Sequence, residues 1–211
     1  MCAAELSVYE AIRMRRDVRA EFTGDAIDED TLLRILEAAH CAPSVGNSQP
    51  WDFVVVREPA TLRTFADHVA AKRTEFRDGL PPERAATFEP IKIEGITESG
   101  TAIVVTYNHD RGGPQVLGRA SVPETGIYST VLAIQNLWLA ATAEQVGVGW
   151  VSFYETDFLA ELVGLPDGIR PVAWLCIGPV DEFQRVPDLE RFGWRTGRPL
   201  SDAIHHERYQ A

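Results

Sequence analysis

The sequence predicts a single α+β domain over residues 1–211. Four short segments are rich in β-branched and aromatic residues, which is typical of strands. Their nearly continuous apolar character predicts a sheet that is covered on both faces. A chain of 211 residues with 45% hydrophobic content can bury a sizeable core and suits one domain better than two. The predicted strands are Trp51–Arg57, Thr101–Tyr107, Gly149–Tyr154 and Val172–Gly178.

Three helices are indicated by their capping residues and apolar faces. Ser7 and Glu10 form a capping-box pattern that opens a short helix before a basic cluster. A second helix is predicted over Ile27–His40, with Asp28 as its N-cap. The third, Tyr128–Val146, is apolar almost all round, so we expect it to be enclosed in the core or between two subunits.

Two further segments are less regular. Residues 61–98 are charged and contain Pro81-Pro82, which predicts helix with a mobile excursion that could form a lid. From Val186 onward the chain contains several Pro and Gly residues. We expect this tail to be extended and to wrap a neighbouring subunit.

The composition argues against several classes of function. A net charge of −11 and a pI near 4.9 disfavour binding to nucleic acid or to anionic membranes, because an acidic surface repels both. No stretch reaches the roughly 18 apolar residues that a membrane span needs, and we expect a cytoplasmic protein. Cys2, Cys41 and Cys176 predict neither a disulfide framework nor a zinc site, and the histidines lack metal-ligand spacing.

Positive charge is scarce in this chain, yet Arg15, Arg16 and Arg19 stand close together. Guanidinium groups suit bidentate binding of phosphate, so these arginines are candidate phosphate anchors. A solvated basic turn that pairs with nearby acids is the alternative. By itself Asp17, inside the cluster, is more typical of a salt-bridge partner than of a catalyst.

Two further segments carry polar groups or glycines. The loop Ala42–Trp51 can hydrogen-bond a planar heterocycle, or it can simply cap the preceding helix. Gly147–Trp150 lacks the GxGxxG pattern and follows a helix, which excludes a Rossmann site. Ser152 has no GxSxG elbow, but its hydroxyl can still face a bound ligand.

Taken in order along nearly the whole chain, several motifs together resemble the nitroreductase flavoprotein family. The motifs are Arg15–Arg19, Ala39–Gly46, Lys92–Ile96, Val116–Arg119, Gln135–Ala141 and Gly147–Ser152. The similarity is strongest to the flavin-destroying branch of that family, because ordinary nitroreductases commonly carry a serine where Asp17 stands. Asn47 and Ser48 depart from this pattern, in which a more apolar pair is expected.

This resemblance implies a fold, an activity and a set of site residues. The implied fold has a central, mostly antiparallel sheet flanked by helices, in a homodimer with an extended C-terminal tail. The implied activity is the fragmentation of reduced FMN by O2 to 5,6-dimethylbenzimidazole and erythrose 4-phosphate, with a separate NAD(P)H-dependent reductase supplying the reduced flavin. The FMN contacts implied by the resemblance are Arg15, Arg16, Asp17, Val18, Arg19, Pro43, Ser44, Gln49, Lys92, Trp150, Val151, Ser152 and Arg198.

Within this set, the resemblance assigns catalytic roles to Asp17 and Ser152 and places Lys92 and Glu94 in a lid over the flavin. Two alternative functions stay open from the sequence. One is an ordinary NAD(P)H-dependent nitroreductase or FMN oxidoreductase, which shares the fold. The other is a flavin-binding protein without catalytic turnover.

Overall fold

The computed structural model describes residues 6–210, so Cys2 lies outside the described residues. The four strands are β1 (Trp51–Val56), β2 (Ala102–Asn108), β3 (Val146–Val151) and β4 (Ile169–Pro179). The helices are α1 (Val8–Met14), α2 (Glu29–His40), α3 (Pro59–Asp78), α4 (Pro82–Phe88), α5 (Ile96–Ser99), α6 (Thr125–Ala143), α7 (Thr156–Leu162) and α8 (Asp188–Arg191). Short 3-10 turns lie at Val45–Asn47 and Leu200–Ala203.

The strands form one sheet in the order β1-β2-β4-β3, and every neighbouring pair is antiparallel. Val104 in β2 stands opposite both Val54 and Trp174, which fixes the register across the middle of the sheet. One irregularity shifts the β2–β4 register between Val105 and Thr106. The predicted α+β class with an antiparallel sheet is therefore confirmed.

Both faces of this sheet are covered, as the apolar strands predict. Alternate residues of β2 face opposite sides: Ile103 and Val105 pack against α2 and α6, whereas Ala102 and Val104 pack in the cluster that contains α3. Side chains alternate because successive residues of a strand point to opposite faces. The result is a sheet enclosed between two helical layers.

The two predicted N-caps are confirmed. The Ser7 hydroxyl accepts a hydrogen bond from the Glu10 amide at 3.3 Å, and the Glu10 carboxylate accepts one from the Ser7 amide at 2.8 Å. Asp28 accepts from the Thr31 amide at 2.9 Å. These side chains satisfy amide groups that the first turn of a helix leaves without intrahelical partners.

Within the single chain, the core encloses only one side of helix α6. One face is buried between α2 and the sheet, but Tyr128, Val131 and Leu132 are 56%, 41% and 45% exposed in the single chain. Residues three and four apart share one face of a helix, so these side chains form one apolar stripe. The single chain thus leaves part of an apolar helix uncovered.

The third strand is displaced from its predicted position. It was expected over Gly149–Tyr154, but β3 begins at Val146, directly after a left-handed residue at Gln145 with φ of 60°. The run Val146–Val148 continues the apolar pattern of α6, yet it pairs with β4 instead of extending the helix. Ser152 consequently follows the strand rather than lying within it.

Residues 61–98 contain most of α3, all of α4 and most of α5, and α3 buries Leu62, Phe65 and Val69 against the sheet. The tail from Val186 is irregular apart from α8 and the second 3-10 turn. Trp194 in this tail packs against its own chain, whereas Leu200 and Tyr209 farther on are 74% and 81% exposed.

None of the helices within residues 6–210 has both the length and the apolar character needed to cross a bilayer.

Candidate functional site

The arginine-rich turn lies along the outer edge of the sheet. After α1 the chain passes through residues 15–19 and pairs with β3, where the Val18 amide donates to the Val148 carbonyl at 3.0 Å. Asp17 and Val148 form an isolated parallel bridge. A local basic cluster is thereby fixed against a strand that lies about 130 residues later in the sequence.

Gly149 makes this close approach possible. A Cβ atom at Gly149 would lie 2.1 Å from the Val18 carbonyl oxygen and 3.7 Å from Oδ1 of Asp17. Sequence reasoning excluded a dinucleotide site at these glycines but gave them no other role. The available signal was a glycine inside an apolar strand, which often marks a place where another backbone comes near.

Asp17 is held at this junction by two groups. Its Oδ1 accepts a hydrogen bond from the Trp150 amide at 2.9 Å, and its Oδ2 forms an ion pair with Arg19. Burial raises the pKa of Asp17, while the charge of Arg19, the Trp150 amide and the charge of Arg15 oppose that rise. The carboxyl group is therefore fixed in position, and its pKa is displaced upward.

The three arginines have different environments. The Arg15 guanidinium lies 4.9 Å from the centroid of the Trp138 ring. Arg16 donates to the carbonyl oxygens of Arg13, Arg15 and Arg185 at 2.6–2.8 Å, yet its Nε is buried without a hydrogen-bond partner. Arg19 is tied to Asp17. The groups that remain available to bind an anion are thus the guanidinium of Arg15 and the Nε–H of Arg16.

Two adjacent cavities open beside this turn. The first, about 160 Å³, is lined by residues 15–19, Glu21 and the tail segment Gln184–Leu189 apart from Arg185. The second, about 320 Å³, shares Arg19 and Leu189 with the first and includes Lys92, Trp150 and Ser152. Its remaining walls are mainly apolar: Phe76, Phe88, Ile91, Ile93, Phe153 and Trp194. The first cavity carries three arginines beside three acids, Asp17, Glu21 and Asp188, and the second is largely aromatic. Guanidinium donors next to an aromatic compartment suit a ligand that has an anionic end and a planar ring.

Three predicted residues from the later part of the chain, Lys92, Trp150 and Ser152, meet at the second cavity. Ser152 is exposed there, and Lys92 is half-buried and paired with Glu98. Glu94 accepts a hydrogen bond from the Ile96 amide at 2.9 Å and does not line this cavity. Val18 and Val151 are buried in the core cluster on the α3 side of the sheet, although Val18 also borders the first cavity.

The predicted loop residues Pro43, Ser44 and Gln49 lie elsewhere. The Val45 amide in this loop donates to the hydroxyl of Ser129, near the start of α6, at 3.0 Å. Trp138, which contacts the arginine turn, is nine residues later in the helix, a rise of about 14 Å along its axis. Within one chain, therefore, the loop and the arginine turn contact α6 at positions about 14 Å apart along the helix axis.

The conformation of this loop is unusual. Gly46, Asn47 and Gln49 all have positive φ, at 54°, 50° and 42°. The Ser44 hydroxyl accepts a hydrogen bond from the Gln49 amide at 3.0 Å and helps to hold the bend. Non-glycine residues in this conformational region cluster at ligand-binding sites, where surrounding structure maintains the strain.

Arg198, the remaining predicted residue, is exposed in the tail and lines neither cavity.

The chain is similar to curated proteins over most of its length. It is 42% identical over 185 residues to a 5,6-dimethylbenzimidazole synthase from Rhodospirillum rubrum, covering 88% of this chain and 87% of that protein. It is 37% identical over 193 residues to a 5,6-dimethylbenzimidazole synthase from Rhodobacter capsulatus, covering 92% and 93%.

Solved structures share the fold at lower identity. An oxidized iodotyrosine deiodinase bound to FMN and 3-iodo-L-tyrosine superposes with a TM-score of 0.75 at 18% identity, covering 96% of this chain and 100% of that one. The model of the nitroreductase family matches residues 12–179, from α1 to the end of β4. With the relatives and the antiparallel sheet, this match establishes that the chain belongs to the nitroreductase family.

Proposed function

We propose that the protein is a 5,6-dimethylbenzimidazole synthase, which consumes reduced FMN and O2 and releases the lower ligand of vitamin B12 together with erythrose 4-phosphate. Two relatives at 42% and 37% identity carry that name. The observation that carries the proposal is the Asp17 carboxyl group, which lines the first cavity. It is fixed there by the Trp150 amide and by Arg19, and both of these residues border the second cavity. An acid in that position gives the site a proton acceptor in addition to its binding groups.

The described residues fit FMN. A phosphate group requires N–H donors, and the buried Nε of Arg16 has no partner, while Arg15 lies beside it in the first cavity. A planar ring requires an apolar compartment, which the second cavity supplies with Trp150 and four further aromatic side chains. We assign the phosphate to Arg15 and Arg16, the ribityl chain to Arg19, which borders both cavities, and the ring to the second cavity.

Reduced FMN, when bound, supplies both the electrons for O2 and the carbon atoms of the product. The chain supplies positioning and proton transfer. We assign to Asp17 the removal of a proton from C1′ of the ribityl chain, the carbon that becomes C2 of the benzimidazole. A pKa raised by burial makes the ionised carboxylate a stronger base than an ordinary aspartate.

Ser152 and Lys92 act at the ring end of the site. The Ser152 hydroxyl lies directly after β3 in the second cavity, where it can donate to a ring heteroatom. Lys92 borders the same cavity from the segment before α5 and offers a positive charge. The surrounding aromatic side chains keep water away from the reacting atoms, which limits side reactions.

We further propose that the active form is a homodimer. The uncovered stripe of α6, with Tyr128, Val131 and Leu132, provides an apolar face, and Val8 and Tyr9 of α1 are exposed as well. A second copy can bring its own Pro43–Gln49 loop to the arginine turn, which one chain alone does not place at the same level of α6. We assign delivery of reduced FMN to a separate NAD(P)H-dependent flavin reductase.

Aerobic incubation of the purified protein with reduced FMN tests this function. Chromatography with mass detection should show 5,6-dimethylbenzimidazole formed in proportion to the flavin lost. Oxidised FMN and peroxide without the benzimidazole would refute the synthase. Rapid oxidation of NAD(P)H by the purified protein alone would then identify the alternative, an NAD(P)H-dependent FMN oxidoreductase or nitroreductase.

A further inference from the structure

Trp138 in α6 makes two contacts with the arginine turn and lies near Trp150 of β3. Its indole N–H donates to the carbonyl oxygen of Arg16 at 3.0 Å. Its ring lies 4.9 Å from the Arg15 guanidinium carbon and 6.4 Å from the ring of Trp150. Trp138 is only 8% exposed, so its position is set by the core of the protein.

The kind of contact that Arg15 makes has a chemical consequence. No ion pair within residues 6–210 joins Arg15 to a carboxylate. A guanidinium group held over an aromatic ring is attracted by the π face of the ring, which leaves its N–H donors available to other acceptors. A carboxylate partner would instead occupy those donors. The cation–π contact with Trp138 therefore positions Arg15 without competing with an anionic ligand.

Trp138 also acts on the neighbouring arginine through the main chain. The Arg16 carbonyl that accepts from the indole N–H belongs to a residue that lines the first cavity and whose buried Nε has no hydrogen-bond partner. Holding that carbonyl fixes the peptide from which the Arg16 side chain extends. One indole thus restrains both arginines that remain free to bind an anion.

We propose that Trp138 is a positioning residue that presents Arg15 and Arg16 to the phosphate group of the flavin. The proposal rests on the proposed function, since it takes FMN as the ligand. A residue with only a general structural role would affect the binding of both flavins equally. If Trp138 acts through the phosphate, its replacement should lower the affinity for FMN. The affinity for riboflavin, which has the same ring and ribityl chain without the phosphate, should be unchanged.

Titration of the full-length protein with oxidised FMN and with riboflavin, followed by flavin fluorescence, tests this proposal. Trp138→Leu removes both the ring face and the N–H donor, and we expect FMN affinity to fall about tenfold while riboflavin affinity stays within about twofold. Trp138→Phe keeps a ring face under Arg15 and loses only the hydrogen bond to Arg16, so we expect a loss of about threefold for FMN. If the leucine variant does not fold, the ratio measured with the phenylalanine variant decides.

Trp174→Phe is the matched control, because Trp174 is a fully buried indole in β4 that stacks on Phe65. Within residues 6–210 no hydrogen bond or cation–π contact joins it to Arg15 or Arg16. It should leave the ratio of FMN to riboflavin affinity at the wild-type value. Equal losses for the two flavins in the Trp138 variants, or no loss for FMN, would overturn the proposal. Wild-type protein that binds neither flavin would contradict both proposals, whereas selective loss of FMN affinity without benzimidazole formation would refute the proposed function alone.

Discussion

Replacing Gly149 by alanine should separate the arginine turn from the sheet. The new Cβ would stand 2.1 Å from the Val18 carbonyl oxygen, whereas ordinary contacts begin at 3.4 Å, so the two backbones must move apart by about 1.3 Å. The hydrogen bond from the Val18 amide to Val148 is now 3.0 Å long, and that from the Trp150 amide to Asp17 is 2.9 Å. Neither survives such a displacement.

The energetic cost follows from those two bonds. A neutral backbone hydrogen bond contributes about 1 kcal/mol, and one to a charged group contributes about 2 kcal/mol, which together predict a loss of about 3 kcal/mol. For a chain of this size that corresponds to a decrease in Tm of about 10 °C. Because Asp17 also loses its fixed position, we expect benzimidazole formation to fall more steeply than FMN binding.

Thermal unfolding followed by circular dichroism, together with the product assay, measures both effects. Gly79→Ala is the control, because Gly79 follows α3 with φ of −81° and its added Cβ would meet only atoms at 3.6 Å and beyond. That variant should unfold within a few degrees of the wild type. A Gly149→Ala protein with unchanged Tm and unchanged product yield would refute the role given to this glycine.

Three further outcomes are expected. Asp17→Asn should bind FMN but lose product formation by on the order of 10³-fold, and it should lack the acid limb of the wild-type pH–rate profile. Because burial raises the pKa of Asp17, that limb should lie above the ordinary aspartate value, and a limb at or below that value would count against Asp17 as the base. Ser152→Ala should retain flavin affinity and lower the yield of benzimidazole per flavin consumed, by about 10²-fold, as chromatography would show; an unchanged yield would exclude Ser152 from the chemistry. Glu144→Gln should lower the free energy of unfolding at pH 7 by less than about 1 kcal/mol, because Arg34 holds the pKa of the Glu144 carboxyl below its usual value. The stabilisation is present above the pKa of the unfolded chain and is lost as the pH falls through the lowered folded value, so denaturation curves of the two proteins should converge in acid.

Local patterns predicted much of the secondary structure. The caps at Ser7 and Asp28 are set by residues within one helical turn, and the apolar strands differ from helices in composition. The boundary between α6 and β3 was misplaced because Val146–Val148 is apolar in either conformation, and only pairing with β4 decides between them. The covered and uncovered faces of α6 likewise depend on where the other elements pack.

The site was predictable as a set of residues but not as an arrangement. The resemblance singled out Asp17, Trp150 and Ser152, yet the bond from the Trp150 amide to Asp17 joins residues 133 positions apart. No local pattern specifies such a contact. The role of Gly149 became visible only with Val18 beside it. The separate location of the Ser44 loop is a property of the tertiary structure as well.

Helix α6 offers one face to the arginine turn through Trp138 and another to the surface through Tyr128, Val131 and Leu132. If a second copy covers the outer face, subunit association and flavin binding both restrain helix α6. Where association strengthens flavin binding in this way, linkage requires flavin binding to strengthen association by the same factor. Dilution of the protein would lower its affinity for the flavin, and saturation with flavin would stabilise the dimer. By mass action, the fraction of sites that bind flavin would thus depend on the concentration of the protein.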